Sequence, residues 1–343
     1  MSSTKTSVFI TGATGYIGGS ILARLLAPQY KQDLDISALL RSNNKAGIFQ
    51  SKFGVHPVIG SLDDEEILAQ AASQAHIVIN TANCDDLKAA KAILRGLKKR
   101  HETNGDIPLL IHTSGTGTLT ANDKGLTMTP QIYDDLNPDQ IETLPPTAQH
   151  RNVDLEIVAA DKEGYVKSYI VLPSSIYGIA HNILVDDGLA KKASFAMLPL
   201  IQIAAVRGEV GVVGKGLNVW GAVHIDEVAD AYMLIFDAIR SNPDAVGHGR
   251  NGYYFLENGE YSAHDLTKAI AKTLYEIGKV KSSEPTAFTP EELVNYFGSQ
   301  EVGYMFGTTS RAVSNRIRAL GWKPQKTVQD LFASIKEEIA GIL

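Results

Sequence analysis

The sequence predicts an α/β fold: a doubly wound parallel sheet with a smaller, mostly helical lobe toward the C-terminus. Three observations carry that expectation. Short apolar runs alternate with amphipathic helical stretches over the first half of the chain, the spacing of strand–helix–strand units. The first run, Val8-Phe9-Ile10-Thr11, passes into Gly12-Ala13-Thr14-Gly15-Tyr16-Ile17-Gly18, with glycines three apart between a strand and a helix. The run His76 to Asn80 is apolar except at its ends, as a strand covered on both faces must be.

The glycine turn suits a dinucleotide, which makes the sheet Rossmann-type. Gly12 lets the chain turn, Gly15 lets backbone approach a pyrophosphate, and Gly18 lets helix and strand pack closely. Thr14, Tyr16 and Ile17 complete the turn, and the free N–H groups of the helix start face the phosphates. The other reading is an ordinary strand–helix turn with glycines for packing.

A second strand, Asp35 to Leu40, ends at Arg41, with Lys45 close behind. That strand end meets the adenosine ribose, where an acid suits a 2′-hydroxyl and an arginine a 2′-phosphate, so NADP(H) is the expected cofactor. The alternative is a surface arginine. After the third strand, His56 to Gly60, Ser61, Leu62 or Asp63 lines an adenine slot, or else Ser61 or Asp63 is a helix N-cap. The fourth strand runs into Thr81, Ala82 and Asn83, and the fifth, Pro108 to His112, into Thr113 and Ser114. These tails converge at the carboxyl edge of the sheet, where such folds bind ligands.

Residues 118 to 147 lack a clean period and hold Pro130, Pro138, Pro145 and Pro146, which reads as a functional loop or lid. A helix from Thr147 or Ala148 to about Lys162 and a sixth strand, Lys167 to Leu172, lead into Pro173, Ser174 and Ser175. Gly188 to Gly208 reads as a long apolar helix, Val210 to Val213 as a short strand, His224 to Arg240 as a helix and Gly252 to Leu256 as a strand. The expected division is residues 1–173 and 222–257 for the dinucleotide domain, and 174–221 and 258–343 for a substrate lobe.

With 343 residues, 44% hydrophobic and a net charge of -6, the chain has ordinary globular composition, and no basic face suggests nucleic acid. A single cysteine, Cys84, excludes an internal disulfide and fits a reducing compartment. No apolar run reaches membrane-spanning length, and the first strand begins by about Ser7, so a soluble cytoplasmic protein is expected. No spacing of His, Cys and carboxylates suggests a metal. The expected partner is a small-molecule substrate, with the chain a monomer or homodimer.

Four ordered motifs resemble the extended short-chain dehydrogenase/reductase superfamily, its NAD-dependent epimerase/dehydratase group. They are Thr11 to Gly18, Leu172-Pro173-Ser174-Ser175-Ile176-Tyr177-Gly178, Val223-His224-Ile225-Asp226-Glu227-Val228-Ala229, and Leu320-Gly321-Trp322-Lys323-Pro324. The resemblance implies a nucleotide turn, a segment beside the nicotinamide, a late helix start and a C-terminal signature. It also implies a Tyr-x-x-x-Lys pair on the helix before the sixth strand. The one such pair here, Tyr275 and Lys279, lies near the C-terminus; on the expected helix stand His150 and Asp154. The chain therefore resembles an atypical branch, the epimerase-like proteins of fungal type.

His150 and Asp154 are four apart and share a helix face. A carboxylate beside an imidazole favours the protonated ring, which can donate where a tyrosine otherwise would. One reading makes His150 the acid, oriented by Asp154, with Ser114 or Thr113 holding the substrate oxygen. The other makes His150, Arg151 and Asp154 a capping and ion-pair cluster. Tyr177 and Tyr133 are competing donors, or packed tyrosines. His224 and Asp226 open a helix, where a dipole role suffices for Asp226. Tyr133, Phe195, Met197, Gln202 and Trp220 are candidate substrate-wall residues, or core.

The leading functional expectation is an NADP(H)-dependent reductase that delivers hydride to a carbonyl or imine of a small organic molecule. The alternatives are an epimerase or dehydratase with a tightly held dinucleotide, and a non-catalytic redox sensor like nitrogen-metabolite-repressor proteins.

Overall fold

The computed structural model describes residues 5–194 and 197–342. The strands are β1 (Thr6–Thr11), β2 (Leu34–Leu40), β3 (His56–Ile59), β4 (Ile77–Asn80), β5 (Leu109–Thr113), β6 (Tyr133–Asp134), β7 (Lys167–Pro173), β8 (Ser175–Tyr177), β9 (Gly211–Val212), β10 (Val219–His224), β11 (Tyr253–Leu256), β12 (Glu260–Ser262), β13 (Thr286–Ala287) and β14 (Ala312–Val313). Seven of them form one parallel sheet in the order β11-β7-β5-β4-β1-β2-β3. The order reverses between β1 and β4, a crevice where ligands bind at the carboxyl edge. This is the doubly wound, Rossmann-type sheet expected from the alternating pattern.

Both faces of the sheet are covered. One core joins Ile10, Ile36 and Ile79 to Leu22 and Leu25 of the helix Tyr16–Leu25 and to Tyr232 and Phe236 of the helix Ile225–Ser241. The other joins Phe9, Val78 and Leu110 to Leu68, Ile93 and Ile157 of the helices Glu65–Gln74, Leu87–Asn104 and Arg151–Glu163. Burying each such side chain contributes about 1.5–3 kcal/mol.

The C-terminal part is mostly helical. A third core gathers Ile201 and Ala204 of the helix Leu198–Arg207, Ile270 and Leu274 of Ala263–Glu276, and Leu331 and Ile335 of Val328–Ile342. Beside it runs a second sheet, β12-β10-β8, in which β8 and β10 pair in parallel.

Two local expectations change. Among the described residues of the stretch Gly188 to Gly208, only Leu198–Arg207 is helical. Gly188 takes a left-handed φ of 68°, Lys191 N donates to the Thr14 carbonyl and Ala180 N to the Lys192 carbonyl. The segment is thus tied as a loop beside the glycine turn, and Pro199 begins the helix where its missing N–H costs nothing.

The stretch 118 to 147 is pinned at several points. β6 pairs with β14, Ala121 bridges Thr309, and the Asp123 carboxylate accepts the hydroxyls of Thr127 and Thr129. Three chain segments also cross at Gly125, Gly214 and Gly307: Gly125 N donates to Gly307 O, while Lys215 N and Leu217 N donate to Gly125 O. A Cβ on Gly125 would stand 1.9 Å from the Val213 carbonyl oxygen, and one on Gly307 2.7 Å from Gly125 N. Among the described residues no helix is long and apolar enough to cross a membrane.

Candidate active site

The glycine turn is built as its spacing implies. Gly12 has φ 73°, and Gly15 N donates to Gly12 O at 2.8 Å. A Cβ on Gly18 would lie 2.3 Å from both Gly12 O and Thr81 Oγ1, so no larger residue fits. Thr81 Oγ1 donates to Thr11 O at 2.8 Å and locks the tail of β4 to the turn. The helix that follows has no side-chain cap, which leaves its first N–H groups directed at the cleft. The residues present therefore fit a dinucleotide pyrophosphate.

From this turn opens a cleft of about 450 Å³, lined by Gly15, Tyr16, Ile17 and Thr81 on one side and by Pro173, Ser174, Ser175 and His150 on the other. Tyr16 donates from its hydroxyl to Gly178 O at 2.6 Å. Gly12, Thr14 and Gly18 form the floor of the turn. Ala82 and the exposed Asn83 continue the tail of β4, and Asn83 Oδ1 accepts from Asp85 N. Arg41 is exposed at the end of β2 and makes no ion pair or hydrogen bond among the described residues. Lys45 is otherwise engaged: its Nζ donates to the Gly188 and Leu189 carbonyls at 2.9 and 3.0 Å. Ser61 donates from N and Oγ to Asp64, the residue at the N-cap position of the helix Glu65–Gln74, while Leu62 packs on the second core.

His150 sits at the N-cap of the helix Arg151–Glu163 with φ 65°, a left-handed conformation in a non-glycine residue. Strain of that kind is retained only where the surroundings fix it. Its Nδ1 meets Asp85 Oδ1 at 2.7 Å and Cys84 Sγ at 3.2 Å. A carboxylate accepts only, so Nδ1 donates to Asp85 and Nε2 is the atom left for the cleft. That nitrogen would stand 3.2 Å from a Cβ at either Gly115 or Gly117. Burial pushes the Cys84 thiol up to about 12, which keeps it protonated beside the ring.

Asp154 does not orient His150. It is fully buried, accepts from Ser114 Oγ at 3.0 Å, and burial pushes its carboxyl up to about 7 against the opposing pull of Ser114 and Arg151. Ser114 is thereby engaged beneath the cleft. Thr113 Oγ1 pairs with Tyr232 OH at 2.6 Å, deep under the sheet edge, so neither hydroxyl lines the cleft. The helix that would have brought His150 and Asp154 together starts only at Arg151, which lets His150 turn toward the tail of β4. Sequence reasoning missed Asp85 because it reads there as the first residue of a helix. Asp86 caps that helix instead, through Ala89 N, and releases Asp85.

A second cavity, of about 660 Å³, adjoins the cleft and shares Gln149, Ser175, Ile176 and Trp220 with it. Trp220 and Met197 line it as expected. Trp220 Nε1 donates to Thr308 O at 2.6 Å, which sets the indole as a partition between the two spaces. Tyr177 lines the cavity, but its hydroxyl donates to Thr327 O at 2.8 Å and burial raises its pKa, so it is not poised as a proton donor. Tyr133 lies in β6 against the second core and lines neither space. Gln202 is exposed on its helix, off the cavity wall. Phe195 lies outside the described residues. His224 caps the helix Ile225–Ser241 by accepting from Asp226 N and packs on Tyr177, an architectural role.

Residues 4–99 match the NmrA-like family. Over 92% of either chain the protein is 29% identical to "Oxidase ucsJ" of Acremonium sp.. It is 27% identical to "Uncharacterized protein YLL056C" of Saccharomyces cerevisiae, over 93% of this chain and 95% of that one. Its fold is that of the UDP-glucuronic acid 4-epimerase of Bacillus cereus, solved with UDP-glucuronic acid and NAD, at a TM-score of 0.63 and 13% identity over 98% of this chain and 100% of the other. The chain thus shares its doubly wound, Rossmann-type fold with this epimerase. The long relatives of the chain include these two fungal proteins.

Proposed function

We propose that this protein is an NADP(H)-dependent reductase that transfers hydride to a carbonyl or imine carbon of a small organic substrate, with His150 Nε2 giving the proton. The observation that carries the reading is the continuity of two spaces. A cleft built on the glycine turn and holding His150 opens, past Ser175 and Trp220, into a separate cavity large enough for a substrate. When bound, NADPH supplies the hydride; the protein positions it, excludes water and delivers the proton.

The chain's own groups divide the work. Gly12, Gly15 and Gly18 with Thr81 shape the pyrophosphate seat. Arg41, unengaged at the end of β2, takes the 2′-phosphate, which Lys45 does not reach because two carbonyls hold it. Pro173, Ser174 and Ser175 wall the nicotinamide end. Asp85 fixes the His150 ring so that Nε2 addresses the cleft, as the carboxylate of an acid–base pair does. The dinucleotide unit is then residues 1–173 and 222–257, and 174–221 with 258–343 forms the lobe around the cavity. The free Cys84 suits a cytoplasmic setting.

Single-turnover NADPH oxidation over a panel of aldehydes, ketones and imines tests the reading. His150→Ala should slow hydride transfer roughly 10²–10⁴-fold with NADPH affinity retained. Full transfer by that variant removes His150 as the acid. A second reading, a dinucleotide redox sensor, is favoured by the NmrA-like match over the turn and by the missing Tyr-x-x-x-Lys pair. It predicts no turnover with any of the panel and strong discrimination between NADP⁺ and NADPH.

A further inference from the structure

We infer that the substrate of this cavity is an uncharged, largely apolar molecule, of the class of polycyclic or long-chain carbonyl compounds, and not a nucleotide-linked sugar. The inference deepens the reductase reading and rests on it for the reacting group. Its own basis is the chemistry of the cavity wall. Leu200, Val213, Leu266, Phe306 and Leu331 represent the lining, and no lysine or arginine occurs in it among the described residues. A diphosphate moved into such a space loses its water and meets no cation, so its charge goes uncompensated.

Backbone donors do not make good the deficit. The helix Ala263–Glu276 opens at the cavity, where its first N–H groups would suit a phosphate. All three are taken: Ala263 N donates to Asn218 O, His264 N to Gly216 O, and Asp265 N to Ser262 Oγ. At the start of the helix Leu198–Arg207, Pro199 has no N–H to offer. The one charged residue of the lining is acidic. Glu338 accepts from Gly178 N at 2.8 Å and Ser334 Oγ at 2.7 Å, burial raises its pKa, and it offers a phosphate no positive charge. The volume, about 660 Å³, is that of sites for drug-sized ligands.

Two titrations on the full-length protein test this without turnover, so the result stands apart from whether hydride is transferred. Nile red, a neutral apolar dye, should bind at one saturable site with a Kd at least about 100-fold below that of UDP-glucose. Leu266→Arg should weaken Nile red at least tenfold, with NADPH affinity, read by quenching of protein fluorescence, within about twofold. If Leu266→Arg does not fold, Val302→Arg on the exposed rim of the cavity should act in the same direction. UDP-glucose binding as tightly as Nile red overturns the inference, as does non-saturable dye binding or binding unchanged by the arginine. A protein that binds Nile red as described yet oxidises no NADPH keeps this inference and loses the reductase reading.

Discussion

At the residue scale, the site turns on which carboxylate touches His150. Asp85, half exposed and 2.7 Å away, can hold the ring; Asp154, fully buried under Ser114, cannot. The two acids therefore differ in what their removal does. Asp154 carries a folded-state pKa of about 7, above its ordinary value of 3.8, because burial disfavours its charge. Between those pH values the native protein binds more protons than the unfolded chain, so stability from this group is present below pH 4 and is lost as pH rises through 7. Asp154→Asn abolishes that loss. The stability of the variant relative to the parent, measured by urea unfolding, should rise from pH 4 to pH 8. Asp135, raised to about 7 in the same way, titrates in both proteins and cancels from the difference. A constant difference across that range would assign Asp154 an ionised state throughout.

At the scale of single elements, the strand ends decide cofactor choice. β2 delivers Arg41 to the edge without a partner, and the helix Asn43–Phe53 that follows delivers Lys45 to carbonyls of the segment that packs by the turn. Arg41→Ala should raise the Kd for NADPH at least tenfold and leave that for NADH within twofold, read by fluorescence titration; equal losses for both would place Arg41 outside the ribose site. The strands themselves were legible in the sequence. Runs such as Ile77-Val78-Ile79 have one reading, because both of their faces must be apolar. β8 and β10 were not, since Ser175 to Tyr177 is too short for a period and pairs with a strand more than 40 residues away. The same limit hid Asp85 from His150. The contact joins residues 65 apart through a helix that begins two residues later than its pattern suggests, and a one-residue shift of a helix start turns a side chain by about 100°. Gly188 to Lys192 misled for a different reason: its composition is helical, but Lys191 N donates to Thr14 O of the glycine turn and Leu189 N and Ala190 N both turn back to Leu184 O.

Across the whole molecule, the last segment of the chain closes back on the sheet. Trp322 Nε1 donates to Glu227 O at 3.0 Å, and the Glu227 carboxylate accepts from Gln325 N and Lys326 N. One buried acid thus anchors the strand-free stretch that leads to the helix Val328–Ile342, which walls the cavity. Glu227→Ala removes the acceptor of two backbone donors at exposed residues, each bond contributing about 0.5–1.5 kcal/mol net. It should lower the melting temperature and shift the Trp322 emission to the red before the far-ultraviolet signal of the sheet is lost. Simultaneous loss of both signals at the parent's temperature would count against the anchor.

The crossing of Gly125, Gly214 and Gly307 has a genetic consequence. The three glycines lie in chain segments far apart in sequence, yet each has backbone of another segment where a side chain would begin. A collection of loss-of-function alleles should therefore contain alanine or serine substitutions at this point that spare every group in the cleft. Such alleles should behave as heat-sensitive lesions, silent at low growth temperature, because what they disturb is the seating of three strands of chain against one another and not any step of the chemistry.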